Sequence, residues 1–152
     1  TKGTLIRIFN SEDGSMLQEL RRGSENALIT SIAFNMTSTL LVTNSNTGSH
    51  HIFNLKGAIE KTGGRLSEDD KAIDDKSHQN NKSKVSFLGV FSKYFQSEWS
   101  FARYKTTDLD TKVAFSQDKY FYILGSKGTF YIVNYQEVKE NRCHLEFEAK
   151  VQ

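Results

Sequence analysis

Two adjacent arginines, Arg21 and Arg22, followed by Gly23, are the residues of this chain best suited to holding an anion. A planar guanidinium makes paired hydrogen bonds to phosphate oxygens, and a phosphomonoester carries about −1.5 to −2 charge near neutral pH. In an extended segment neighbouring side chains point to opposite sides, so two consecutive arginines serve two sites, with one anionic group each. This reading expects both side chains on an exposed rim. The competing readings of the pair are solvated charges, or ion pairs with Glu19 or Glu25.

The other polar candidates are quieter. His50 and His51 are neighbours in a strand-like run and face opposite ways, and no Cys, Asp or Glu at ligand spacing completes a metal site. The four histidines and Cys143 lack a nucleophile motif such as Gly-x-Ser-x-Gly, and no Gly-rich phosphate loop precedes a helix. Trp99 and Phe101, at strand spacing, read as core rather than as a ligand cage. No metal, cofactor or enzyme is expected.

The elements that position these residues repeat. Gly3-Thr4, Gly48-Ser49 and Gly128-Thr129 each open a β-branched or aromatic run: Leu5 to Phe9, His50 to Phe53 and Phe130 to Val133. The first two anchors stand about 45 residues apart, the period of a four-stranded WD-type propeller blade. The next interval, about 80 residues, is one such period plus an insertion within Lys56 to Glu98. Further strands are expected over Met16 to Leu20 after the Asp13-Gly14 turn, and over Ile29 to Phe34 and Leu40 to Thr43. Trp99 to Tyr104, Val113 to Phe115, Tyr120 to Leu124, Thr129 to Tyr135 and Leu145 to Val151 complete the set. The fold class is all-β, a WD-type β-propeller of which residues 1–22 end one blade, 23–106 form the next with its insertion at 56–98, and 107–152 form the last. A free-standing β-sandwich has the same strand count, but the period favours the propeller. About two and a half blades would leave an inner edge and an apolar face open, so the remaining blades must come from missing chain, a second fragment or a second copy.

The insertion has two halves. Lys61 to Lys84 is polar and charged and is expected to be disordered, whereas Val85 to Phe95 carries Phe87, Leu88, Val90, Phe91, Tyr94 and Phe95 and wants an apolar partner. Composition narrows the function classes: 37% hydrophobic and 25% charged residues describe a soluble protein, and a net charge of +2 is too small to imply nucleic acid by itself, so any cationic site must be local. No run approaches the roughly 18 apolar residues of a membrane span, the N-terminus has no signal-peptide pattern, and a lone Cys143 suits a reducing compartment.

Four stretches together resemble the C-terminal portion of the PROPPINs, autophagy-related β-propellers that bind polyphosphoinositides. They are Lys2 to Phe9, Leu20-Arg21-Arg22-Gly23, Gly48 to Phe53, and Tyr94 to Ala102, in the family's order. The resemblance implies a seven-bladed propeller with two rim sites that use the successive arginines of a Phe/Leu-Arg-Arg-Gly motif. Its ligands would be phosphatidylinositol 3-phosphate and phosphatidylinositol 3,5-bisphosphate. Arg21 then belongs to the first site with Thr4 and Lys2, and Arg22 to the second with Ser45, Ser49 and His51. Ser49 stands where Thr is usual, Ser92 where a proline often precedes Lys-Tyr-Phe, and the Leu20 form of the motif leans toward the swollen-vacuole-phenotype branch. The implied partners are phosphoinositide-containing vacuolar, endosomal or preautophagosomal membranes and autophagy-related proteins. Phe87, Leu88 and Phe91 become a membrane-inserting loop, the alternative being a satellite core beneath the propeller. A protein-interaction propeller that grips an acidic peptide through Arg21 and Arg22 is the competing function.

Overall fold

The computed structural model describes residues 3–64, 78–82 and 97–150. Among these described residues eleven strands and one short helix follow in the order β1 (Leu5–Phe9), β2 (Met16–Arg21), β3 (Ile29–Phe34), β4 (Leu40–Ser45), β5 (Ser49–Asn54), α1 (Lys56–Lys61), β6 (Glu98–Trp99), β7 (Ala102–Lys105), β8 (Thr111–Phe115), β9 (Tyr120–Gly125), β10 (Thr129–Lys139) and β11 (Arg142–Lys150). Two antiparallel meanders of four strands emerge, β3-β4-β5-β7 and β8-β9-β10-β11, beside the hairpin β1-β2. This is a part of a β-propeller, as the repeat period predicts.

The hydrophobic pattern explains the stacking. Strand β4 is buried along its whole length, as suits a blade covered on both faces. Side-chain alternation sends Leu40 and Val42 toward the last blade, into a core with Ile52, Phe101, Phe121, Ile123 and Val133. Leu41 goes the other way with Phe53 and Leu55, to meet Leu20 of β2 and the partly buried Ile6 and Ile8 of β1. The middle blade is thus held between the other two sheets. Leu124 and Phe147 of the last blade and Phe9 and Met16 of the hairpin remain exposed.

The glycine anchors turn the chain at close backbone approaches. Gly3 and Gly48 have positive φ of 55° and 72°, and a Cβ on Gly3 would stand 1.8 Å from the Ala27 carbonyl oxygen. On Gly48 it would stand 2.5 Å from that of Thr106.

Two strands differ from expectation. The run from Trp99 to Tyr104 is not one strand: Glu98–Trp99 lies parallel to β2, whereas Ala102–Lys105 joins β5. The last hairpin starts earlier than the alternation from Leu145 indicates, because Glu140 and Asn141 take left-handed φ of 50° and 61° and close a tight turn onto Arg142. The polar half of the insertion is also corrected at its end. Residues 78–82 dock against the blade, with His78 buried edge-on to Phe101 and Asn81 exchanging backbone hydrogen bonds with Trp99 at 3.0 and 2.8 Å. Polar residues order there because asparagine side chains satisfy strand backbone directly. At the start of that half, Lys61 ends α1 and residues 62–64 turn after it, while residues 65–77 and 83–84 of the expected disordered stretch, and the expected insertion residues Phe87, Leu88 and Phe91, lie outside the described residues.

Candidate functional site

Arg21 ends β2 and Arg22 follows it, and neither is an exposed rim charge: they are 3% and 6% exposed. The expectation that both side chains stand exposed on a rim is corrected by packing around each of them. The Arg21 guanidinium lies over the Trp99 ring, 5.9 Å from its centroid, brought there by the Arg21↔Trp99 register of β2 and β6. Trp99 is therefore a half-buried partner of Arg21, not a member of the core that Phe101 joins.

Arg22 is held by main chain. Its backbone N–H donates to the Thr4 carbonyl at 2.9 Å, its Nε to the Gly3 carbonyl at 3.0 Å, and an Nη to the Glu25 carbonyl. Burial lowers the Arg22 pKa from its ordinary value, and the charge of Glu25 opposes that shift. A guanidinium has five N–H donors, so two carbonyl bonds fix its plane and leave donors over for an anion. Glu19, an alternative ion-pair partner of the arginines, pairs instead with Arg7 at 2.9 Å.

Beside Arg22 opens a cleft of about 550 Å³, lined among others by Glu25, His51, Lys82, Ser100 and Arg103. Three cations and one carboxylate thus border one concavity, together with an imidazole and a hydroxyl. His51 stands across from Arg103 in the β5–β7 register, and its Nδ1 lies 3.0 Å from Ser100 Oγ. Burial pulls the His51 pKa from 6.5 to about 4, with the charges of Arg22, Arg103 and His50 adding to it. The ring is neutral at pH 7 and offers hydrogen bonding without charge. His50 points to the other face, toward Thr111 Oγ1 at 3.0 Å, and burial lowers its pKa to about 4 as well.

Of the residues singled out from sequence, Arg22 and His51 meet in this cleft, and Ser49 joins His51 and Arg103 in a neighbouring one. Ser45 is buried in the β4–β5 turn, its hydroxyl 2.9 Å from Thr47 Oγ1, and with Thr4 and Arg21 it lines neither cleft. Lys2 lies outside the described residues. Sequence reasoning missed Arg103 and Lys82. Arg103 was legible in principle, since a strand pairing with β5 must set some residue across from His51. Lys82 was not, because only the docking of 78–82 brings it near. A separate exposed trio, Glu137, His144 and Glu146, is also gathered within 4.8 Å, with buried Asn134 Nδ2 donating to both carboxylates.

A PROPPIN sequence profile matches residues 1–70. Autophagy-related protein 18e of Arabidopsis thaliana is 36% identical over 134 residues, which is 86% of this chain and 31% of that protein. The chain belongs to the PROPPIN family. Autophagy-related protein 18 of Phaeosphaeria nodorum is 40% identical over 85 residues, 56% of this chain and 20% of that protein. The PROPPIN chain therefore spans less than a third of the length of these curated relatives. In fold it is similar to Hsv2 of Kluyveromyces lactis with its complete loop 6CD, with a TM-score of 0.66 at 22% identity over 99% of this chain and 43% of that one. Among the described residues no helix is long and apolar enough to cross a membrane.

Proposed function

We propose that this PROPPIN chain is a membrane-recruitment module that binds phosphatidylinositol 3-phosphate and phosphatidylinositol 3,5-bisphosphate headgroups, in autophagy or in vacuolar and endosomal traffic. The observation that carries the reading is the cleft in which Arg22, Lys82 and Arg103 converge on neutral His51. Main-chain carbonyls hold the Arg22 fork before any ligand arrives, which lowers the ordering cost of binding. Arg22 and His51 belong to this second headgroup position, with Ser49 in the adjoining cleft that shares His51 and Ser45 supporting the turn that carries Ser49. Arg21, Thr4 and Lys2 form the first. Autophagy-related proteins are the partners, and the remaining blades complete the propeller.

The place of the apolar stretch supports the same reading. Asn81 is bridged to Trp99, and Asn81, Lys82 and Trp99 all line the cleft, so described residues on both sides of 83–96 stand at the proposed headgroup position. A loop carrying Phe87, Leu88 and Phe91 would enter the bilayer beside the bound headgroup.

The burial of Arg21 and Arg22 decides how to test this. Lys82 and Arg103 are exposed, so the K82Q/R103Q variant removes two cleft charges with little effect on folding. Flotation with vesicles containing phosphatidylinositol 3-phosphate is expected to fall at least tenfold in this variant. Wild-type protein is expected to ignore vesicles whose negative charge comes from phosphatidylserine alone. Equal flotation of wild type and variant, or equal binding to both vesicles, would sink the reading, and the second result would favour a general acidic-peptide or anionic surface.

A further inference from the structure

A second cleft, of about 480 Å³, lies where the outer strand β7 of the middle blade meets the outer strand β11 of the last. Its lining includes Ser49, His51, Arg103, Tyr104, Lys105 and Arg142, with no carboxylate. The two blades touch here through one parallel bridge, and the residues opposed in it are Arg103 and Arg142. Like charges directly opposite each other across a sheet are unfavourable. Lys105, two residues along β7, stands on the same side as Arg103 and adds a third cation.

Ordinary compensation is missing. Among the described residues the ion pair formed is Arg7 with Glu19, and neither Arg103, Lys105 nor Arg142 has a carboxylate partner. Glu148 acts on Tyr104, whose phenol burial pushes up to about 12, but Glu148 does not line the cleft. Three cations around a concave site with a hydroxyl and two uncharged ring residues match the charge and the donor types that a phosphate dianion calls for. We propose that the β7–β11 seam is an anion-binding pocket of its own, in which Arg103, Lys105 and Arg142 hold a phosphate group and so close the joint between the blades.

The phosphate comes either from a second phosphate on a headgroup seated in the neighbouring cleft, since the two clefts share His51 and Arg103, or from a soluble phosphate. The test begins without lipid. Inorganic phosphate titrated into the intact protein is expected to shift the arginine Nε–Hε NMR signals of Arg103 and Arg142 in a saturable way. Binding is expected to weaken at least tenfold in K105Q/R142Q and to persist in the charge-keeping K105R/R142K. Both positions are exposed, and unchanged thermal melting of these variants checks that the fold is intact. Shifts that do not saturate, or that K105Q/R142Q reproduces, overturn the pocket. Flotation with phosphatidylinositol 3,5-bisphosphate vesicles then separates the sources. Weaker flotation of K105Q/R142Q identifies the headgroup, whereas unchanged flotation with lost phosphate binding identifies the soluble anion. Because the phosphate titration uses no lipid, it stands or falls apart from the K82Q/R103Q result.

Discussion

The side chain of Asn80 stands in for a strand beside Asn54: its Oδ1 accepts the Asn54 backbone N–H at 2.8 Å, and its Nδ2 donates to the Asn54 carbonyl at 2.7 Å. The same Nδ2 reaches Glu98 Oε2 at 2.8 Å, and Gln18 Nε2 binds both the Asn54 carbonyl at 3.1 Å and Glu98 Oε2 at 2.8 Å. Four separate parts of the chain, at residues 18, 54, 80 and 98, are thereby clipped at the root of the insertion. The Asn80→Ala change removes this clip and leaves the Asn54 main chain with less than its full set of bonds. It is expected to lower stability by about 1 to 3 kcal/mol in urea unfolding, the usual cost of leaving buried polar groups without a partner. An unchanged midpoint would mean that 78–82 does not hold the blade.

Arg22 is expected to matter for folding as well as binding. Arg22→Thr loses the bonds to the Gly3 and Glu25 carbonyls in a buried setting, which should cost about 1 to 3 kcal/mol. The double Arg21→Thr, Arg22→Thr change adds the loss of the contact with Trp99 and should cost more. Thermal melting of the double variant with K82Q/R103Q alongside checks this, and equal melting of both would show that the arginines bear no structural load.

Acid should loosen the fold before it reaches the usual carboxylate range. His50 and His51 have folded pKa values of about 4 against an ordinary 6.5, so between these limits the unfolded chain binds more protons than the native one. Stability is therefore complete above pH 6.5 and falls as pH drops toward 4, by up to about 3 kcal/mol for each histidine. Urea unfolding at pH 7 and pH 5 reads the difference, and His51→Gln is expected to remove part of it. A flat profile over that range would contradict the buried, neutral state of both rings.

The insertion carries its own expectation. Changing Phe87, Leu88 and Phe91 together to Asp is expected to leave thermal stability and soluble-headgroup binding intact while sharply reducing vesicle flotation. Each buried Phe or Leu is worth about 1.5 to 3 kcal/mol in a membrane. Unfolding of this variant would point to the satellite-core alternative, and normal flotation would remove the loop from membrane binding.

The fold was largely legible because its signals are local. Glycine anchors followed by β-branched runs announced the strands, and the unbroken apolar stretch Leu40 to Val42 matches a strand buried on both faces. What stayed hidden depends on distant partners. The run through Trp99 looks like one strand, yet it splits because Trp99 pairs with Arg21 of the preceding blade while Ala102 pairs with Ile52. Residues 78–82 read as disordered from their polarity, and only the pairing with Asn54 and Trp99 shows otherwise. At the candidate site, residue chemistry singled out Arg22 and the family resemblance added Ser49 and His51, but composition could not show that Arg22 is buried or that Arg103 stands between two clefts.

The short strand β6 gives the insertion a mechanical attachment. Glu98 and Trp99 run parallel to β2, in register with Leu20 and Arg21. A pull transmitted down the returning limb of the loop reaches β2 along the strand axis, so the bonds between the strands are loaded together in shear instead of opening one by one. The strand that takes the load is the one that ends in Arg21 and leads into Arg22. Tension on the loop and the proposed grip on an anion would therefore be borne by the same few residues.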